Sequence, residues 1–501
     1  VGLGILGLLI AWSLAVVLSE PVIGWANNFD FARSSACTGL WSSLNGHILF
    51  DAHKSGPLGF LISGQLQSDS CLPSSDQVFS FALVPWIAKG GFIATQWLGL
   101  LHLIVLIIPV SWLALRTRSL AILWTITISY FLIFNNLNTL GFFNALYADS
   151  SVLIATYLAA MFLIALVYDP SRRTVVTFLI TCLAMGWLAL AKDLAFPLAL
   201  VLLITLGVFV AVMKKWRVLA VVFLVVLGVI LVNQHFHDRH TYSFTHTIAM
   251  ANADDAIYGV MLPAITTHGS LSATGIPQEC RSFVHTTWYS APRSPAFLRC
   301  SDWAVANRTS ITTRYFATIT PPLSALQTAL TQSWGLAPQG IHLSEHPGRP
   351  RKVVQVTSGL SVLSWTSRIL PAATFGALML YVAWPLGLLV TIVAASGVRS
   401  KRRASSRRWL LVGLCSGLGV LIQVAFVVSA LLGDGFHELA RHSYAQIIGI
   451  AFEVIGFGLL AGLLLLGSGQ ATAPTGQFLG QGEDLRPIVG HTDGVLEMSG
   501  E

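Results

Sequence analysis

Asp, Glu, Lys and Arg make up only 10% of this 501-residue chain, so the places where charged and ionisable residues gather are informative. Four stretches set such residues beside long apolar runs. They are Asp30 and Arg33 in "NNFDFAR", Asp149 in "FFNALYADSSVL", Lys192 and Asp193 in "LALAKDLAFP", and Asp434, His437, Glu438, Arg441 and His442 in "GDGFHELARHSYAQ". A charge next to hydrocarbon is costly, which makes an ionisable residue at the mouth of a membrane helix a site candidate by default. Cations select an anionic head group such as a phosphate, and a carboxylate can take a proton from a hydroxyl. That combination is what glycosyl transfer from a lipid phosphate needs. The tail stays in the bilayer, the phosphate is clamped at the interface, and a base activates the attacking hydroxyl.

Each candidate also has a purely structural reading. Asp30 and Arg33 are one helical turn apart and can pair with each other. Asp149 can serve the N-terminus of the helix it precedes. Lys192 and Asp193 can form an interfacial turn with a snorkelling lysine. Glu438, Arg441 and His442 lie three or four residues apart, a spacing that local ion pairing also explains. The three histidines of "HFHDRH" (His235, His237 and His240) have no cysteine beside them and read as an interfacial polar cluster rather than a zinc site.

The elements that must position these groups are membrane helices. The chain is 54% hydrophobic with a mean hydropathy of +0.71, and so few charges could not solvate a water-soluble protein of this length. The net charge of +7 is concentrated in short clusters, which fits a membrane protein and not a nucleic-acid binder. Ten apolar windows can each supply one span: 1–23, 94–115, 119–136, 151–168, 173–191, 194–213, 217–234, 371–396, 409–432 and 443–467. The first lacks the basic flank of a signal peptide and reads as a transmembrane helix. The basic clusters "RTRS", "PSRR", "KKWR" and "RSKRRASSRR" occupy alternate connections, so an inside N-terminus puts all four in the cytoplasm. The site candidates then share the opposite face.

The fold class expected is therefore an all-α polytopic membrane protein of about ten transmembrane helices. Residues 1–234 form an N-terminal transmembrane region with a long first outer loop at 24–93. Residues 235–370 form a large extracytoplasmic insert between the seventh and eighth helices, 371–467 the C-terminal helices, and 468–501 a flexible cytoplasmic tail. Cys37 and Cys71 share the first outer segment and Cys280 and Cys300 the second, a placement suited to two disulfides in an oxidising compartment. No phosphate-binding Gly-rich loop, Gly-x-Ser-x-Gly elbow or Cys-x-x-Cys pair occurs, which disfavours an ATP-driven pump, a serine hydrolase and a thiol redox enzyme.

A long first outer loop opening with an Asp soon after the first helix resembles the GT-C superfamily, the multi-pass glycosyltransferases that use polyprenyl-phosphate sugars. Within it, "NNFDFAR", "FFNALYADSSVL" and "GDGFHELARHSYAQ" resemble the hexose transferases of bacterial cell-envelope glycan biosynthesis. The resemblance implies Asp30 as the general base and Asp149 as a second acidic residue near the acceptor or a metal. It places Arg441, His442, Glu438 and Lys192 by the donor phosphate, with Arg33, Asp193 and His437 as further substrate contacts. "YADSS" offers a lone Asp where metal-dependent relatives carry a pair, so a divalent cation is allowed but not required. The expected partners are a polyprenyl-phosphate-linked sugar, a glycan or lipid-linked acceptor and membrane lipids, without nucleic acid. The expected reaction is inverting transfer at the periplasmic face of a bacterial inner membrane. A membrane polysaccharide polymerase or ligase and a lipid-head-group transporter are the alternatives.

Overall fold

The computed structural model describes residues 1–19, 22–24, 38–44, 47–48, 59–62, 76–84, 92–145, 148–168, 174–192, 195–212, 221, 225, 228, 243–268, 274–288, 290–317, 320–335, 342–344, 371–398, 403–436 and 439–468. Val1–Leu460 makes one compact unit, and Ala461–Glu501 is a separate one whose described part is the last turns of a helix. The first unit is built from α1 (Gly2–Val17), α2 (Gln77–Leu83), α3 (Thr95–Arg116), α4 (Leu120–Phe134), α5 (Leu137–Phe143), α6 (Ala148–Tyr168), α7 (Thr174–Ala191) and α8 (Phe196–Val212). It continues through α9 (Ser243–Ala256), α10 (Leu262–His268), α11 (Pro295–Phe316), α12 (Thr320–Gly335), α13 (Ala372–Leu378), α14 (Trp384–Val398), α15 (Arg403–Asp434), α16 (Leu439–His442) and α17 (Gln446–Ser468).

A helix occupies each expected apolar window except 217–234, most of which lies outside the described residues. By length and composition, five described helices can cross a bilayer, or six if the bent pair α4 and α5 counts as one span. α1, α7 and α8 are apolar but shorter. Ile108, Leu183, Ile204, Ile392 and other large apolar side chains are exposed along α3, α7, α8 and α14. Such an apolar exterior suits lipid and would aggregate in water. The chain is a multi-pass membrane protein.

α6 is the axis of this arrangement. In its spanning window 94% of residues are buried, against 44% for α3 and 33% for the helix containing α14. Its sequence, "ADSSVLIATYLAAMFLIALVY", is apolar on every side, the pattern of a helix with no solvent face. Small residues (Ala155, Ala159, Ala160) let α3, α7, α8 and α15 approach it closely.

Two features depart from the sequence expectation. The 137–150 stretch falls between two of the expected apolar windows, yet 137–143 folds as the buried helix α5, turned by 81° from α4. Asn136 makes that corner by accepting a hydrogen bond from the Asn138 N–H at 2.9 Å. Short strands also occur in the 24–93 stretch and the 235–370 insert, beside their helices. Leu40–Leu44, His47–Ile48, Gly59–Ile62 and Phe92–Ala94 form an antiparallel four-stranded sheet, with Leu40 opposite Ile62 and Gly59 opposite Ala94. Val22–Gly24 pairs with His342–Ser344, joining the chain after α1 to the large insert.

Tyr258, Cys280, Cys300, Ile311 and Tyr315 of the insert are buried in a core shared with Phe375, Val427 and Leu431 of the C-terminal helices. The Cys280–Cys300 disulfide ties a 3₁₀ turn (Gln278–Phe283) to α11, while Cys37 and Cys71 lie outside the described residues. Cys182 and Cys415 are free and buried within α7 and α15. α11 starts where Ser294 accepts from the Phe297 N–H at 3.2 Å and Pro295 fills the first position. The insert docks on the end of α15, where Arg308 donates to the Leu432 carbonyl at 2.7 Å. Gly435 there takes φ +61°, with its Cα against the Asp255 carbonyl, where a side chain would collide with backbone.

Asp254 is fully buried in α9 and accepts from the Ser301 hydroxyl at 2.5 Å. Burial pushes its carboxyl up to about 7, with the Ser301 hydrogen bond pulling down and Asp302 pushing further up. The folded chain therefore keeps a proton that the unfolded chain releases near pH 4. Stability should fall as pH rises from about 4 to about 7 and level off above that. In thermal unfolding scans of detergent-solubilised protein between pH 4.5 and 8, Asp254→Asn is expected to flatten this decline. An unchanged slope would show that Asp254 does not cause it.

Candidate functional site

α6 and α7 form an antiparallel hairpin, so the start of one lies beside the end of the other. Asp149 sits in the first turn of α6, where the helix dipole favours an anion. Lys192 follows the last residue of α7, where the dipole favours a cation, and its carbonyl accepts the Ala195 N–H at 2.9 Å in the turn that follows. The two side chains meet: Lys192 Nζ donates to Asp149 Oδ1 at 3.1 Å and Oδ2 at 3.4 Å. Their side chains are 19% and 9% exposed, so this pair is shielded well beyond an ordinary surface ion pair.

A third wall comes from the C-terminal half of the chain. His442 ends α16, and Tyr444 and Ala445 lead into α17; together with Asp149, Lys192, Val152 and Leu153 they line a narrow cleft. The cleft leaves no room for a water molecule. A substrate would have to displace side chains to enter. Tyr444 is held from outside the cleft by the corner between α4 and α5. Asn136 Nδ2 donates to its hydroxyl at 3.3 Å, and Thr139 Oγ1 shares a hydrogen bond with it at 3.0 Å.

Three of the sequence candidates, Asp149, Lys192 and His442, thus share one cleft although up to 293 residues separate them. Arg441 neighbours His442 in α16, but its side chain lies outside the described residues. Asp30, Arg33, Asp193, His437 and Glu438 also lie outside them, as do His235, His237 and His240. Among the described residues no three His, Cys, Asp or Glu side chains come together as a metal-binding group. The exposed Arg407 and Arg408 lie near the start of α15, whose other end adjoins α16, so the basic cluster and the cleft mark opposite ends of one long helix.

Sequence reasoning passed over Tyr444, although it lies two residues after His442 in "HELARHSY". It also missed His102 and Glu453, each a lone ionisable residue inside an apolar window and therefore detectable by the cost of burying charge in a bilayer. Asp76 gave no such signal, lying in a polar outer stretch.

The geometry predicts an asymmetry. Lys192→Met leaves Asp149 as an uncompensated, mostly buried carboxylate and should destabilise the protein by about 3 kcal/mol. Adding Asp149→Asn should recover part of that loss, with a coupling of about 1 to 3 kcal/mol in a double-mutant cycle followed by thermal unfolding. Additive effects would mean that the pair contributes nothing. Tyr444→Phe strands the amide of Asn136 and should cost about 1 to 2 kcal/mol in the same measurement.

No curated protein and no solved structure matches the chain. A family match, in contrast, runs from residue 1 to residue 460, through every wall of the cleft: the chain belongs to the YfdI N-terminal transmembrane domain family.

Proposed function

We propose that the protein is an inverting GT-C-type glycosyltransferase. In this reading it moves a sugar from a polyprenyl-phosphate donor to a hydroxyl of a cell-envelope glycan or lipid-linked acceptor, at the periplasmic face of a bacterial inner membrane. The observation that carries the proposal is the cleft itself. It sets a cation (Lys192) and an imidazole (His442) against apolar walls and the Tyr444 residue at the end of a membrane helix bundle. Polar donors select the phosphate and the apolar surroundings suit the prenyl chain. Membership of a transmembrane family spanning 460 residues supports a membrane enzyme of this general kind.

The acceptor oxygen attacks the anomeric carbon as the bond from that carbon to the phosphate oxygen breaks, and the electron pair leaves with the lipid phosphate. Asp30 receives the acceptor proton. Lys192 neutralises the charge growing on the phosphate, assisted by Arg441 and His442, while Asp149 holds the ammonium in place through the pair described above. Asp149 is already occupied by the Lys192 ammonium, which leaves Asp30 for proton removal. No metal is required by this scheme. Glu438 and Arg33, Asp193 and His437 remain contacts to donor and acceptor.

A polymerase or ligase would use the same groups on a longer acceptor, and the mass of the product separates the two. Purified protein in liposomes, given an undecaprenyl-phosphate-linked hexose and an envelope glycan acceptor, should add one sugar per acceptor. Lys192→Gln should lower kcat by about 10²- to 10³-fold, the range for losing a key charge-stabilising donor. Asp30→Asn should abolish transfer without loss of expression. Chains of added sugar would favour the polymerase, and full turnover by both variants would remove the assigned roles.

A further inference from the structure

Behind the cleft lies a second polar cluster with no exposed atom. Asp76, just before α2, and His102, two turns into α3, are both fully buried. Asp76 Oδ1 accepts from the Ser151 hydroxyl at 2.7 Å and faces His102 Nε2 at 3.4 Å. His102 Nδ1 faces the Phe143 carbonyl at 2.9 Å. The next hydroxyl along, Ser150 Oγ, donates to the Phe142 carbonyl at 2.7 Å. The His102 ring is packed between Phe79, at 4.3 Å between centroids, and Phe143, at 5.7 Å.

Hydrogen-bond accounting bears on the two His102 nitrogens; Asp76 Oδ2 is buried with no hydrogen-bond partner among the described residues. A carbonyl oxygen can only accept, so Nδ1 of His102 must carry a hydrogen. Nε2 then approaches a carboxylate oxygen, and two bare acceptors would repel. One further proton must lie on the line between Nε2 and Oδ1, whether it resides on the imidazole or on the carboxyl.

Ser150 and Ser151 follow Asp149 in the first turn of α6. One is fastened to the end of α5 and the other to Asp76. The turn that presents Asp149 to Lys192 therefore has its rotation fixed from behind. We propose that Asp76 and His102 share a single buried proton and act together as positioning residues, setting the first turn of α6 and through it the Asp149–Lys192 contact that lines the cleft. Neither residue touches the cleft itself. The consequence for turnover rests on the transferase reading; the consequence for the ion pair does not.

The test is a double-mutant cycle on Asp149 and Lys192, repeated in Asp76→Asn and Ser151→Ala backgrounds and read by thermal unfolding in lipid nanodiscs. Both backgrounds keep a residue of nearly native size and are chosen to fold. The expected result is at least a twofold fall in the Asp149–Lys192 coupling in each. Unchanged coupling overturns the positioning role. Nitrogen NMR of ¹⁵N-histidine-labelled wild-type protein, with His102→Gln identifying the signal, tests the proton directly. A His102 ring with hydrogen-bonded protons on or shared by both nitrogens near pH 7 is expected, and a ring with a bare Nε2 overturns the pair. If wild-type protein transfers sugar, Asp76→Asn should lower kcat about tenfold or more with KM for the lipid donor within twofold, and unchanged kcat would overturn the link to turnover. If wild-type protein transfers none, the reaction assignment fails, while the coupling and NMR results still decide the positioning role.

Discussion

The enclosure of α6 constrains everything around it. A helix surrounded by other helices has no lipid face on which a long charged side chain can snorkel, so ionisable groups can be accommodated only at its ends. Between apolar helices in a bilayer, association depends on close packing and hydrogen bonds more than on removal of surface from water. α6 meets the first condition with its alanines. It meets the second with Tyr157, whose hydroxyl lies 3.1 Å from Ser129 Oγ on α4. The single acidic residue of α6, Asp149, lies in its first turn, and the antiparallel α7 ends in a lysine where a counter-charge is needed. Both helix dipoles reinforce this placement. The cleft follows from packing that leaves charge no other position.

The same reasoning explains why the chain can bend sharply beside that mouth. Non-helical backbone at membrane depth is tolerated only where protein groups satisfy its carbonyls. The end of α5 exposes the carbonyls of Phe142 and Phe143, and these receive the Ser150 hydroxyl and face the His102 ring. At the other end of α5, Asn136 caps the new helix and turns its amide towards Tyr444. Each polar side chain in the region serves a broken piece of backbone on one side and the cleft wall or its supports on the other. Gly99 belongs to the same fitting, since a side chain there would strike Asn144 and Val17, and Asn144 Nδ2 donates to the Val17 carbonyl at 3.1 Å.

Much of the fold was legible because hydropathy and charge are blunt signals. Apolar windows marked the helices, and rarity marked Asp149, Lys192 and His442 as worth explaining. Cys280 and Cys300 could be paired because they share one outer segment. The corner between α4 and α5 was invisible because "LNTLGFF" is as apolar as the run before it, and apolarity carries no direction. Tyr444 was hidden for a different reason. A neutral phenol has no cost that hydropathy registers, and its value comes from partners at Asn136 and Thr139, some 300 residues away in sequence. Asp76 is harder still, because only the folded chain brings it to Ser151 and His102. The short sheets of the outer segments combine strands of two to five residues, too brief for alternation to stand out.

The C-terminal helices follow a different rule from α6, and the difference explains where the site lies. α14, α15 and α17 pack through glycines. A Cβ at Gly387 would meet Val420 and Glu453 at 2.6 and 2.8 Å, and one at Gly419 would meet the Glu453 backbone nitrogen at 2.7 Å. Into this tight seam fits a chain of polar groups: Trp384 Nε1 donates to Gln423 Oε1 at 3.1 Å, and Gln423 Nε2 donates to Glu453 Oε2 at 2.6 Å. Such a seam holds three helices in fixed register, so the residues just before α17 are held at a set height above it. Those residues are His442, Tyr444 and Ala445. The N-terminal helices supply the ion pair and the corner that grips Tyr444, and the C-terminal seam supplies the wall that faces them. Neither half encloses the cleft alone, which ties the candidate site to the assembly of both halves of the bundle.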